Sequence, residues 1–241
     1  MMNREYENVL NFSSDKISIF MLLIDVSGSM NDSKYDLIAG IDKFKQSFEK
    51  FPEKNSIAVS LSKFNSVIKL GNFRGIDEMD ASNIQCFDET ALYYSINKAA
   101  KHLLNYVYDV IDKTGVYPDV TFIVFSDGEP CQDRASRKSA KETIQKLNNA
   151  GYTTVFVAFG KAISMEFGKK MGFLSTIDVN DKSKLVEFLG VELSQSVKNQ
   201  SKSLKALGAS FFSQANNQST SDNYSATTQQ ALEDDSWIDD I

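Results

Sequence analysis

Residues 16–25, KISIFMLLID, are apolar on both faces of an extended chain and rich in β-branched and aromatic side chains, which predicts a central strand of a parallel sheet. Over 33–51 the period changes to that of a helix, with Leu37, Ile38, Ile41, Phe44 and Phe48 on one face. NSIAVSLSKFN and SVIKLGNF then read as two strands able to pair as a hairpin. Residues 90–113 predict a long helix whose apolar stripe is Leu92, Ile96, Ala99, Leu103, Val107 and Val110. PDVTFIVFSD (118–127) is a second strand apolar on both faces, and it too ends in an acid. A helix over about 134–149 closes at Gly151, followed by a third buried strand, YTTVFVAFG (152–160). MEFGKKMG predicts a short helix, FLSTIDV a last strand, and DKSKLVEFLGVELSQSVKNQ a final helix. Strand and helix alternate throughout. The fold class expected is α/β: a doubly wound, mostly parallel sheet with helices on both faces.

Beyond about residue 200 the pattern stops. Ser, Gln, Asn and Thr dominate, and the chain turns acidic at ALEDDSWIDDI, which holds the only tryptophan, Trp237. Such a segment offers too little apolar surface to offset its ordering entropy and is expected to be disordered. The division expected is an N-terminal extension (1–15), one folded domain (16–200) and a Ser/Gln/Asn-rich acidic tail (201–241). A chain of 241 residues is long enough for one sizeable core plus such a tail.

Charge and cysteines narrow the setting. A formal net charge of -6 and the lack of a Lys/Arg block argue against a nucleic-acid surface. The longest apolar run is well short of the ~20 residues needed to span a bilayer, so no membrane contact is expected. The start of the chain has neither the basic nor the apolar region of a signal peptide. Cys86 and Cys131 are therefore read as free thiols in a reducing, cytoplasmic compartment rather than as a disulfide. With a single histidine, His102, and no C-x-x-C pair, a zinc site is not expected.

The candidate chemistry lies at the strand ends. In a parallel α/β sheet, ligands bind at the carboxyl ends of the strands. Asp25 and Asp127 occupy those ends in the two most apolar strands. After Asp25 the chain reads D-V-S-G-S, so Asp25, Ser27 and Ser29 place three small oxygen-bearing side chains around a turn at Gly28. Carboxylates and hydroxyls are hard ligands suited to Mg²⁺, Mn²⁺ or Ca²⁺. Thr90, in CFDETALYYSI, is a further oxygen donor. Each element has a plainer reading: Thr90 as a helix N-cap, and Ser126-Asp127-Gly128 as ordinary turn chemistry. It is the combination that points to a cation.

DVSGS, ETAL and FSDGEP, in that order and spacing, resemble the three segments of the metal-ion-dependent adhesion site of von Willebrand factor type A domains, over about residues 16–198. The resemblance implies that Asp25, Ser27 and Ser29 form the first segment, Thr90 the second and Asp127 the third. In the family the serines usually ligate directly, while the acids often act through water. Many members carry glycine before the metal threonine, where this chain has Asp88 and Glu89. These acids would raise cation affinity, weaken binding of an acidic ligand, or mark a different loop course. Within the family the SDGEP continuation and the serine-rich segment after the last helix are most similar to bacterial TerY-type proteins of tellurium-resistance and stress clusters. That similarity implies kinase-like and phosphatase partners.

The function expected is therefore a non-enzymatic, cation-dependent protein–protein interaction module. Mg²⁺, or Mn²⁺ or Ca²⁺, would leave a coordination position for an Asp or Glu of a partner. The acidic tail either solubilises the chain or competes for that position. The rival class is a metal-dependent hydrolase or phosphoryl-transfer enzyme. Aspartyl-nucleophile phosphatases generally carry a second acid two residues after the first, where this chain has Ser27, and no phosphate-binding G-x-x-x-x-G-K-[ST] loop is present.

Overall fold

The computed structural model describes residues 9–12, 16–127, 130, 131, 133–159, 165–179, 186–195 and 198. The tail at 201–241, expected to be disordered, lies outside the described residues, as do residues 1–8. In chain order the elements are β1 (Ser18–Asp25), α1 (Lys34–Gln46), β2 (Ile57–Phe64), β3 (Ile68–Lys69), β4 (Arg74–Gly75), α2 (Leu92–Thr114), β5 (Asp119–Ser126), α3 (Arg137–Asn149), β6 (Thr153–Phe159), α4 (Met165–Met171) and β7 (Ser175–Val179). A π-helical stretch, Phe188–Leu193, follows. They build one seven-stranded sheet in the order β3-β2-β1-β5-β6-β7, with β4 also paired to β2.

β1, β2, β5, β6 and β7 run parallel, while β3 and β4 return antiparallel on β2, so the hairpin expected after residue 55 forms. Every residue of β1 is buried, which is why its sequence is apolar on both faces. Alternate residues feed separate cores. Ile19, Met21 and Leu23 face Leu103 and Val107 of α2 and Ile144 of α3. Phe20, Leu22 and Ile24 face Leu37, Ile41 and Phe44 of α1, with Phe188 and Leu189 beyond. Val9 joins the α2 side of the core, and Leu10 and Phe12 pack against it.

This arrangement fixes where a ligand goes. From β1 the chain crosses by α1 on one face to β2, and it returns by α2 on the other face to β5. The chain leaves β1 by α1 on one face and leaves β5 by α3 on the other, which opens a crevice at the carboxyl ends of these neighbouring strands. Their register pairs Ile24 with Phe125, which brings Asp25 beside Ser126 and Asp127.

Candidate metal centre

Asp25 closes β1 and is fully buried. Its Oδ1 accepts the backbone N–H of Ser27 at 2.8 Å, a local turn of the kind aspartate makes two residues on. Its Oδ2 accepts the hydroxyl of Ser126, the last residue of β5, at 2.6 Å. Ser27 is also buried and opens a short 3₁₀ turn, Gly28–Ser33. Its Oγ lies 3.1 Å from that of Ser29, and Ser29 donates to Asp127 Oδ1 at 2.7 Å. The oxygens thus rise from a buried floor, Asp25 and Ser27, to the exposed Ser29 and the half-buried Asp127.

The second loop is laced to the first through backbone. Gly28 N–H donates to the Asp88 carbonyl at 2.9 Å and Phe87 N–H to the Val26 carbonyl at 3.0 Å. A Cβ on residue 28 would lie 3.4 Å from that Asp88 carbonyl oxygen, an ordinary van der Waals contact. Asn65 clamps the far side: its carbonyl accepts Ala91 N–H and its side-chain amide donates to the Phe87 carbonyl. Thr90 itself is buried at 6% exposure, and its carbonyl accepts Cys131 N–H, four residues beyond Asp127. It is held between the other two segments by backbone, while the side-chain hydrogen-bond chain runs through Asp25, Ser27, Ser29 and Asp127.

Thr90 is not the N-cap of α2. That helix starts at Leu92 with Ala91 in the cap position, and no side chain of its own caps it. Asp133 does so from 40 residues away, its carboxylate accepting the N–H groups of Tyr93 and Tyr94. The plainer alternative for Thr90 is thereby removed.

Electrostatics mark Asp25. Burial pushes its carboxyl up to about 6, against hydrogen bonds from Ser126 and Ser27 that favour the charged form, and Asp127 adds to the rise. A positive charge is what such a buried carboxylate lacks. The donor set suits a hard divalent cation: Ser29 spends its proton on Asp127 and keeps its lone pairs, and Asp25 and Asp127 retain acceptor capacity. Among the described residues no three His, Cys, Asp or Glu side chains cluster, so a cation here depends on the hydroxyls as much as on the two acids.

No protein-family model matches the sequence, and no curated protein matches it significantly. Solved structures do. The vWF domain of the type V pili tip protein Mfa5 from Porphyromonas gingivalis superposes with a TM-score of 0.58 at 10% identity, covering 79% of this chain and 98% of that one. The fold is that of a von Willebrand factor type A domain. The pilus adhesin SpaC from Lactobacillus rhamnosus GG matches at a TM-score of 0.62 and 12% identity over 78% of this chain. The match spans about a third of SpaC, 31% of its length. Proximal thread matrix protein 1 from the mussel byssus, in a structure with a zinc-occupied MIDAS motif, matches at 0.54 and 16% identity over 78% of this chain and 48% of its own.

Within this von Willebrand factor type A fold, Asp88 is engaged through both its backbone and its side chain. Asp88 adopts a left-handed conformation, φ 64°, where glycine is favoured, and its carboxylate accepts the Ser66 hydroxyl at 3.0 Å. An aspartate thus stands in a backbone conformation that glycine favours. Three contributors to the site escape sequence reasoning: Ser126, Asn65 and Asp133. For Ser126 there is a signal, a polar residue closing an otherwise apolar strand. Asn65 and Asp133 act through backbone groups and carry none. His102 bonds the Gly71 carbonyl through Nε2 at 2.9 Å and stacks near Phe73, and both cysteines are free.

Proposed function

We propose that the chain is a non-enzymatic, divalent-cation-dependent protein–protein interaction module, in which Asp25, Ser27, Ser29, Thr90 and Asp127 hold Mg²⁺, Mn²⁺ or Ca²⁺. The carrying observation is the oxygen path from buried Asp25 to exposed Ser29, because it places a ligand set for a hard cation where a second protein can reach it. A bound cation would supply an electrophilic position for an Asp or Glu of the partner. The chain's own residues do the rest. Asp25 anchors the floor and Ser126 orients it, while Ser27 and Ser29 contribute neutral oxygens that leave positive charge uncompensated. Asp127 holds Ser29 toward the crevice.

Acid–base chemistry finds little support at this site. The hydroxyls of Ser27 and Ser29 are paired with each other and with Asp127, and His102 is committed to Gly71 and Phe73. The narrower assignment, to the TerY-type proteins of bacterial stress and tellurium-resistance systems with kinase and phosphatase partners, rests on the SDGEP continuation and the serine-rich segment. A cytoplasmic setting is supported by the two free thiols.

Calorimetric titration of the protein with MnCl₂ or MgCl₂ tests the reading. One site per chain is expected, lost in Asp25→Ala and in Ser27→Ala/Ser29→Ala. Affinity capture in Mg²⁺ should then recover partners that EDTA and Asp25→Ala both release. Equal heats in wild type and variants, or equal recovery with and without EDTA, would overturn it.

A further inference from the structure

On the α2 side of the sheet, Arg137, Lys138 and Lys141 of α3 and Lys169 and Lys170 of α4 line one open groove. All five are exposed. Among the described residues the carboxylates paired with them are Glu142, 3.8 Å from Lys138, and Glu166, 3.3 Å from Lys169, which leaves Arg137, Lys141 and Lys170 as positive charge on the groove. One of these residues also meets an aromatic ring, the Arg137 guanidinium lying 5.9 Å above Phe167. The chain as a whole carries a net charge of -6, and an acidic segment would be the groove's electrostatic counterpart.

The sequence contains one. Residues 233–241, EDDSWIDDI, put five carboxylates in nine positions around Trp237. We infer that this acidic segment docks in the α3–α4 groove of its own chain, its carboxylates on Arg137, Lys141 and Lys170 and Trp237 against the cationic side chains. Single exposed ion pairs contribute little, but several made at once by a tethered segment act together. Distance permits it. Lys198 and Glu233 are 35 residues apart, which can span up to about 115 Å when extended. A domain of this size is only about 40 Å across. The cation site takes one carboxylate at a time, whereas the groove can engage all five. This inference does not depend on the cation site being occupied.

Trp237 is the only tryptophan, so its fluorescence anisotropy in the full chain reports the segment directly. At low salt the anisotropy should be high and the same at every protein concentration, and it should fall as NaCl is raised to about 1 M, where exposed charges are screened. Arg137→Glu/Lys141→Glu/Lys170→Glu should lower it at low salt and remove the salt-dependent fall. Asp234→Asn/Asp235→Asn/Asp239→Asn/Asp240→Asn changes none of the groove residues and should produce the same loss. If both variants keep the wild-type salt response, the inference is wrong. It is equally overturned if EDTA lowers the anisotropy while the groove variant does not, since that places the segment at the cation site.

Discussion

Asp25 is a carboxylate at the end of an apolar strand, and its cost depends on pH. In the folded chain without a cation the group holds its proton up to about pH 6, against 3.8 ordinarily. The stability it contributes is fully present below about pH 4 and is lost as pH rises through 6. A shift of about two units corresponds to about 3 kcal/mol. Urea unfolding in EDTA at pH 4 and pH 7 should show that loss in wild type and a flatter dependence in Asp25→Asn, whose amide keeps the shape without the charge. An unchanged slope in the variant would show that Asp25 is not the group responsible. The same residue was the most legible part of the site, because an acid ending an apolar strand stands out in any reading. Ser126 was hidden by its size: a small residue closing a strand reads as the start of a turn, and only the parallel register of β1 and β5 reveals that it orients Asp25.

At the scale of elements, the strands and helices were written in the period of their apolar residues. β1 and β5 announce burial on both sides, and α2 carries one stripe over more than six turns. Where helices begin was less visible, because ends are decided by whatever satisfies the first free N–H groups. α2 is the clear case. Its expected start near Thr90 moves to Leu92 because Asp133 supplies the cap from the loop ahead of α3. Asp133 also accepts Ala135 N–H at 3.0 Å, so one carboxylate ties the start of α2 to the approach of α3. Replacing it with Ala should cost about 1–2 kcal/mol of stability. It should also speed amide exchange at Tyr93 and Tyr94 ahead of the rest of α2. Exchange rising evenly along the helix would argue that the cap is not what holds that end.

For the whole molecule, the cradle exists only when three distant segments are in place, so a cation that binds it binds the folded state alone. Saturation at a hundred times the dissociation constant should add about 2.7 kcal/mol. For a domain of this length that raises Tm by roughly 5–10 °C. Scanning calorimetry in MgCl₂ against EDTA should show the rise in wild type and its absence in Ser27→Ala/Ser29→Ala. A rise of the same size in that double variant would mean the ion stabilises some other place.

The bond from Ser126 to Asp25 spans 101 residues. A ribosome making this chain finishes β1, α1, β2 and the whole of α2 before the residue that completes the floor of the cradle has been added. Until then Asp25 has no neighbour across the crevice, and Asp127 does not yet exist to hold Ser29. A chain that stops short of β5 therefore lacks part of the ligand set proposed for the cation. A centre that binds as proposed would certify that β5 has joined β1, while β6 and β7 are still to be made.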